Sequence, residues 1–485
     1  MTPNDTQSFR RPVRQAALVL AVLALFLFAS MPLATQADAQ ESDVVVEPVT
    51  PVLSARRFAP VLQTTNADPA LNNDLNAFLR STPGDACVLV KSDGRVVVDR
   101  KADTAFAPAS LMKLATAIGA MEILGSDYRM QTKFVTNGKF SNGVVDGDLY
   151  VIGGGDPLIT TKGYKSVFDD PDQLLEPMGD VVNTLKEKGV KEVRGAIIGD
   201  DSRYENVRWI PSWPTRYQIG GTVSPLSALV VNDGNTGYTE TPDEPTTDRK
   251  AGDPPLLFVQ TLKTLLNQNG INANGEARTG RAPGEVKEVA VFESVPMIDI
   301  VNEMLANSDN TTAELVLREI GMQNSGEGTT TAGLAAVREV LSQKSIPLDG
   351  FVQVDGSGLD LNNRMSCRTG LALYETVDTY SDVTTKLPVA GRTGTLRKRM
   401  LQAEATGKVV AKTGTLNSVN ALAGRATTKP GNFIEFVFIH NGTDPRGQVV
   451  GDIVAERLMT FAKGAKLSAL SPAAAKQTTP EKNDK

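Results

Sequence analysis

The sequence predicts an α+β fold, an α/β sandwich whose chain is broken by a long insertion. Three observations predict it: an early strand pair followed by a helix, a long Gly- and Asp-punctuated stretch in the middle, and late strands closed by a helix. At 485 residues the chain has room for roughly three domains of about 150 residues. A composition of 41% hydrophobic and 22% charged residues is that of a globular protein rather than a disordered or fibrous one.

The elements follow in chain order. Arg10, Arg11 and Arg14 precede an apolar run over 16–29 and then Ala37-Asp38-Ala39. A positive start, a short apolar core and an A-x-A site predict a secretory signal peptide over 1–39. The run falls short of the roughly 20 residues of a spanning helix, and none later is longer, so no membrane span is expected after its removal. Residues 40–53, with Pro48 and Pro51, read as a linker. The apolar run 86–90 and the stretch 95–99 flank Ser92-Asp93-Gly94, a hairpin signal. Helical spacing covers 110–124, 177–188, 257–269, 297–306, 311–321 and 330–343. Strands are expected within 133–159 and 190–200, then at 409–413, 421–427 and 433–439, with a closing helix over 448–463. The tail 466–485 is Ala, Pro, Thr and Lys, and reads as disordered.

Composition also narrows the chemistry. Lys+Arg 50 against Asp+Glu 56, a net −6, gives no footprint for nucleic acid or an anionic membrane surface. Two Cys and one His are too few for a usual structural zinc or iron–sulfur site. A Ser–His–Asp triad would have to use His440, so nucleophilic chemistry points to another base. Cys87, in its apolar run, reads as a small buried hydrophobe, and Cys367 lies in a polar stretch. Export permits a disulfide between them, and their spacing leaves the matter open.

Three short motifs carry the functional signal. In Ser110-Leu111-Met112-Lys113, the i and i+3 positions of a helix place an ammonium beside a hydroxyl. A serine at a helix start has free N–H groups nearby for an oxyanion, and a desolvated lysine can serve as base. An N-cap serine with a surface lysine would look the same. Ser308-Asp309-Asn310 lies between two amphipathic helices. Ser308 can relay a proton and Asn310 can offer an amide to a peptide carbonyl, although helix capping alone accounts for these residue types. Lys412-Thr413-Gly414-Thr415 closes an apolar strand, where lysine and threonine suit a ligand carboxylate and the glycine lets a substrate backbone approach. Arg278-Thr279-Gly280, Arg368-Thr369-Gly370 and Arg392-Thr393-Gly394-Thr395 are similar, but the last follows a turn-like stretch, so Lys412 is preferred. S-x-x-K, S-D-N and K-T-G in that order mark serine acyl-transferases that react with penicillin.

The chain resembles the class C low-molecular-mass penicillin-binding proteins, the D-alanyl-D-alanine carboxypeptidase/endopeptidases. The similarity runs through PASLMKLATA (108–117), GGGDPLIT (153–160), VSPLSALVVNDG (223–234), NSDNTTAELVLREIG (307–321), VDGSGL (354–359), LPVAGRTGTLRKR (387–399) and AKTGTLNSVNALAG (411–424). It implies a penicillin-binding serine transpeptidase/β-lactamase-like catalytic domain over 54–131 and 288–465, split by a β-rich insertion at 132–287. It further implies Ser110 as nucleophile, Lys113 as its base, and Ser308 and Asn310 as proton path and substrate contact. Lys412 and Thr413 would hold the terminal carboxylate, and the N–H groups of Ser110 and Thr415 the oxyanion. Peptidoglycan stem peptides are the implied substrates and β-lactams the inhibitors, with no metal or organic cofactor and with a location in the periplasm or the extracellular wall space.

Two positions bear on specificity. Asp156, in GGGDP, matches a family aspartate that approaches the amine of the substrate's diamino acid; a turn aspartate before Pro157 would read alike. Family members often continue D-G-S-G-L with S-R, but here Leu361 stands in the arginine's place and cannot pair with a carboxylate. The expected preference is for a stem peptide whose side-chain carboxylate is amidated or absent, unless Arg364 substitutes. A β-lactamase shares the three triplets; no E-x-x-L-N stretch is present for a deacylating glutamate, and the chain is long for one. A silent wall-binding module on the same fold is the alternative outside enzymes.

Overall fold

The computed structural model describes residues 59–461 apart from 93, 167, 169–172, 220, 240–248, 381–382, 430–431 and 444–448. The expected signal peptide, linker and tail lie outside the described residues.

The chain begins with helix α1 (Ala59–Arg80) and the hairpin β1 (Asp85–Ser92) and β2 (Arg95–Arg100). A 3-10 turn, Ala109–Met112, leads into α2 (Lys113–Ile123). After the central stretch come α3 (Met297–Ala306), α4 (Asn310–Ser325), α5 (Thr330–Gln343) and α6 (Cys367–Asp378). Strands β3 (Val409–Leu416), β4 (Val419–Lys429) and β5 (Asn432–Asn441) and helix α7 (Val449–Phe461) finish it. The five strands form one antiparallel sheet in the order β3-β4-β5-β1-β2.

Side chains alternate across a strand, and here both faces are covered. Cys87, Leu89, Val437 and Ile439 pack into a core with α2 to α6. Ala86, Val88, Val90, Phe436 and Phe438 pack into a second core with α1 and α7. That is why 86–90 reads as an unbroken apolar run rather than an alternating one. Helix α2 is buried along most of its length and rich in alanine, which lets α4 and α5 pack close to it.

Residues 131–293 build two larger sheets and two small two-stranded ones. Of the larger two, one runs Ala277–Thr279, Ile197–Asp200, Leu149–Ile152, Gln131–Thr136, Lys287–Glu293, and the other has four short strands. Its helices Met178–Glu187 and Pro254–Gln268 bury Val181, Leu185, Phe258 and Leu262 against them. The chain enters and leaves this region through one antiparallel pair, Gln131–Thr136 with Lys287–Glu293.

Helices α3 and α5 lie where the spacing predicts. Helix α1 has Pro69 inside it, and α6 starts at Cys367 and contains Gly370, so propensity hides both. Cys87 is not a free buried thiol: it is bonded to Cys367, with Cα atoms 5.9 Å apart. The bond ties the inner strand β1 to α6 across 280 residues. Removing it, as Cys87→Ser with Cys367→Ser, is expected to cost about 2–5 kcal/mol. Denaturant unfolding would read this as a lower midpoint; an unchanged midpoint would show that packing alone holds the two elements. Among the described residues, no helix is long and apolar enough to cross a membrane.

Candidate active site

The three motifs converge in one cleft between α2, the α3–α4 loop and the edge strand β3. Ser110 stands in the 3-10 turn rather than in the α-helix itself, and the turn starts from Ala109 at φ 48°. A left-handed alanine costs on the order of 1–3 kcal/mol, a strain that functional sites tend to store. Lys113 opens α2, and its Nζ lies 3.0 Å from Ser110 Oγ. The same ammonium nitrogen reaches Asn310 Oδ1 at 2.7 Å and the Ser357 carbonyl at 2.7 Å. Lys113 is 0% exposed. Burial lowers its pKa to about 8, against a partial upward pull from Glu314, Asp309, Asp355 and Glu303.

Asp309 caps α4, with Oδ1 accepting from Thr312 N at 2.8 Å, which sets Ser308 and Asn310 on either side of a fixed turn. Ser308 takes φ 60°. Its Oγ accepts from Lys412 Nζ at 2.8 Å, so the serine meets the second lysine as well as facing the cleft. Asn310 Nδ2 donates to the Thr222 carbonyl at 2.7 Å, leaving the amide's other N–H for a substrate. Lys412 is also 0% exposed, and burial together with the nearby Lys113 charge holds its pKa well below the usual lysine range. A bound carboxylate would reverse that penalty by supplying the missing counter-charge.

Strand β3 is a sheet edge, as expected. Ala411 N donates outward to Pro388 O, and the pleat repeats every second residue, so the N–H groups of Thr413 and Thr415 point out of the same edge. Thr413 Oγ1 lies 2.8 Å from Thr395 Oγ1. The glycine of K-T-G also has a use within the fold. A Cβ on Gly414 would come within 2.6 Å of the Pro108 carbonyl, so the missing side chain seats the turn that carries Ser110.

Sequence reading missed the layer beneath. Glu314, one helical turn after Asn310, accepts from Ser357 N at 2.8 Å and Gly356 N at 3.1 Å. Asp355 accepts from Trp213 Nε1, Gly358 N, Asp360 N and the Asn363 amide, all within 3.0 Å. These two buried carboxylates hold the 355–358 loop so that the Ser357 carbonyl meets Lys113. The i, i+4 spacing of Asn310 and Glu314 was the available signal.

Asp156 is set apart from this cluster. It is 2% exposed; Oδ1 accepts from Leu158 N at 2.9 Å, and its carboxyl hydrogen-bonds the Glu176 side chain. Burial raises both carboxyl pKa values, and the Asp156 charge raises that of Glu176 further. Leu361 is 42% exposed. Arg364 Nη1 donates to the Leu361 and Asn363 carbonyls at 2.6 and 2.8 Å, which ties one end of its guanidinium to its own loop. Of the motif look-alikes, Arg278 lies on a strand of the 131–293 region, Arg368 lies on α6, and Thr395 is the neighbour of Thr413.

A doubly covered antiparallel sheet with this serine, two buried lysines and an S-D-N loop at its edge is the architecture of the penicillin-reactive serine acyl-transferases. The model of the D-Ala-D-Ala carboxypeptidase 3 (S13) family matches residues 71–249 and 242–453, and the chain belongs to that family. It is 26% identical over 469 residues to the D-alanyl-D-alanine carboxypeptidase of Actinomadura sp. (strain R39), covering 81% of this chain and 83% of that one. The crystal structure of penicillin binding protein 4 (dacB) from Haemophilus influenzae superposes with a TM-score of 0.66 at 22% identity. That match covers 80% of this chain and 99% of the other. The same Haemophilus influenzae protein complexed with a β-lactam gives 0.61 at 23% identity, over 80% and 98% of the two chains.

Proposed function

We propose that the protein is a serine-type D-alanyl-D-alanine carboxypeptidase, with DD-endopeptidase activity at the same residues, that hydrolyses peptidoglycan stem peptides through an acyl-Ser110 intermediate and is acylated by β-lactams. The observation that carries this reading is Lys113 Nζ, buried and held between Ser110 Oγ and Asn310 Oδ1 with its pKa brought down to about 8. Family membership and the names of the relatives support the substrate class.

In this reading neutral Lys113 takes the Ser110 proton as Oγ attacks the carbonyl of the penultimate D-Ala. The N–H groups of Ser110 and Thr415 receive the oxyanion, the latter being aimed out of the sheet edge by the pleat. Lys412 and Thr413 hold the terminal carboxylate, or the matching group of a β-lactam. Ser308 lies on Lys412 and passes a proton toward the leaving amine, while Asn310 holds the acyl side. Water then cleaves the ester. The chemistry belongs to the periplasm or the extracellular wall space, where peptidoglycan lies, and residues 132–287 act as a domain inserted into the catalytic one of 54–131 and 288–465. Asp156, enclosed with Glu176, would meet a substrate amine only if the GGGDP loop opened.

Release of one D-alanine from a pentapeptide ending in D-Ala-D-Ala tests the reaction; a protein that leaves the peptide whole would overturn it. Specificity is tested with free-acid and amidated diaminopimelate stems. With Leu361 where family members often carry an arginine, the amidated stem is expected to have the lower KM. A clear preference for the free acid would sink that part.

A further inference from the structure

Lys113 Nζ has three partners: Ser110 Oγ, Asn310 Oδ1 and the Ser357 carbonyl. A neutral amine offers two N–H groups and one lone pair. The amide oxygen and the carbonyl can only accept, so between them they take both N–H groups. The lone pair is then left for the Ser110 O–H, which is what a general base at this position needs. The base is aimed by its two acceptors.

Both acceptors are held from the 131–293 region. The Thr222 carbonyl accepts from Asn310 Nδ2 at 2.7 Å and so turns Oδ1 toward the lysine. Ser357 follows Asp355 by two residues, and Asp355 organises its loop. Oδ1 accepts from Gly358 N and Asn363 Nδ2, each at 2.8 Å, and Oδ2 from Asp360 N at 2.7 Å and Trp213 Nε1 at 2.9 Å. Three of these donors belong to the loop's own stretch; the fourth, Trp213, lies 142 residues earlier. Burial raises the Asp355 pKa, and the hydrogen bonds, that of Trp213 first among them, work against it. Trp213 is itself buried, in an apolar cluster with Tyr217, Leu226, Leu315 and Leu359. Leu315 lies on α4 next to Glu314, and Tyr217 Oη donates to the Leu359 carbonyl at 3.3 Å. The indole is therefore wedged between α4 and the loop that faces Lys113.

We propose that Trp213 is a positioning residue for the catalytic base: its indole N–H, acting through Asp355 and the Ser357 carbonyl, aims the Lys113 lone pair at Ser110. The proposal rests on the reading of Lys113 as base given above, and it gives the 131–293 region a part in the reaction. Without the indole N–H, Asp355 holds its charge less readily and the Ser357 carbonyl is freed to turn away. Both changes weaken the hold on the ammonium form of Lys113, and the lone pair is less well aimed. Asp309, Glu314, Glu303 and Lys412 also face Lys113, and a substitution at 213 leaves them in place.

The test is acylation of the full-length protein by benzylpenicillin from pH 6 to 9, resolved into a binding constant and a limiting rate. Two variants are compared: Trp213→Phe, and Trp213 replaced by benzothienylalanine, which keeps the bicyclic ring and puts sulfur in place of the N–H. In both, the limiting rate is expected to fall about tenfold or more while the binding constant stays within about twofold. The acid limb of the benzothienyl profile should move to lower pH by about half a unit. A fold that had merely loosened would admit water and move the limb up. Each variant should still take up one penicillin per chain at long times, which shows that it is folded; if Trp213→Phe does not fold, the benzothienyl protein carries the test. Trp209→Phe, packed against the same cluster, should acylate within about twofold of the wild type. A limiting rate in the benzothienyl protein within twofold of the wild type, a loss confined to binding, an equal loss in Trp209→Phe, or a limb that moves up would overturn the proposal. If the wild type forms no adduct, it is the underlying reading that fails.

Discussion

Replacing Ser110 by alanine is expected to abolish the penicillin adduct and to lower D-alanine release by a factor on the order of 10³ or more. The change removes one oxygen from a half-buried turn, and the neighbouring contacts of Lys113, to Asn310 and Ser357, survive it. Lost activity therefore reads as lost chemistry rather than lost structure. Intact mass after brief exposure to benzylpenicillin gives the answer directly. The wild type should gain one penicillin per chain and the variant none. An adduct that persists on Ser110→Ala would put the nucleophile elsewhere, and a wild type that neither gains mass nor consumes penicillin would return the silent wall-binding module to first place.

The second large effect belongs to Lys113. To accept the serine's proton, the lysine must first lose its own, and burial places that loss near pH 8. Below that value the group is mostly ammonium. The acylation rate should therefore rise about tenfold per pH unit on the acid side and level off above about 8. Lys113→Arg keeps the charge but cannot deprotonate, so acylation should fall on the order of 10³-fold with no recovery at high pH. A rate independent of pH between 6 and 9, or an arginine variant that acylates normally, would remove Lys113 from the role of base. The expected profile is that of the empty site. A bound carboxylate lies nearer Lys412, and its effect would be to restore that ammonium's charge.

Much of the site is legible one element at a time. Ser110 and Lys113 are three residues apart on one short helical segment, and the S-D-N and K-T-G triplets each lie within a single turn or strand. Local spacing decides such features, because side chains three apart on a helix or two apart on a strand share a face whatever surrounds them. The hairpin of β1 and β2 and the extents of α3 and α5 are legible for the same reason. Helix α6 is not, since its apolar face counts only once Met365 and the sheet are packed against it.

Contacts between distant segments follow other rules. Lys113 meets Asn310 across 197 residues and Ser357 across 244. The order of the three motifs, the single histidine and the unbroken apolar run of β1 were determined by the sequence alone, because composition and local period need no partner. The tertiary structure alone decided that Cys87 pairs with Cys367, that Gly414 makes room for Pro108, that Glu314 and Asp355 hold the loop facing Lys113, and that Asp156 closes on Glu176. It also decided the lowered pKa of Lys113. Burial is a property of the packed chain, and desolvation of a charge has no counterpart in a list of residues.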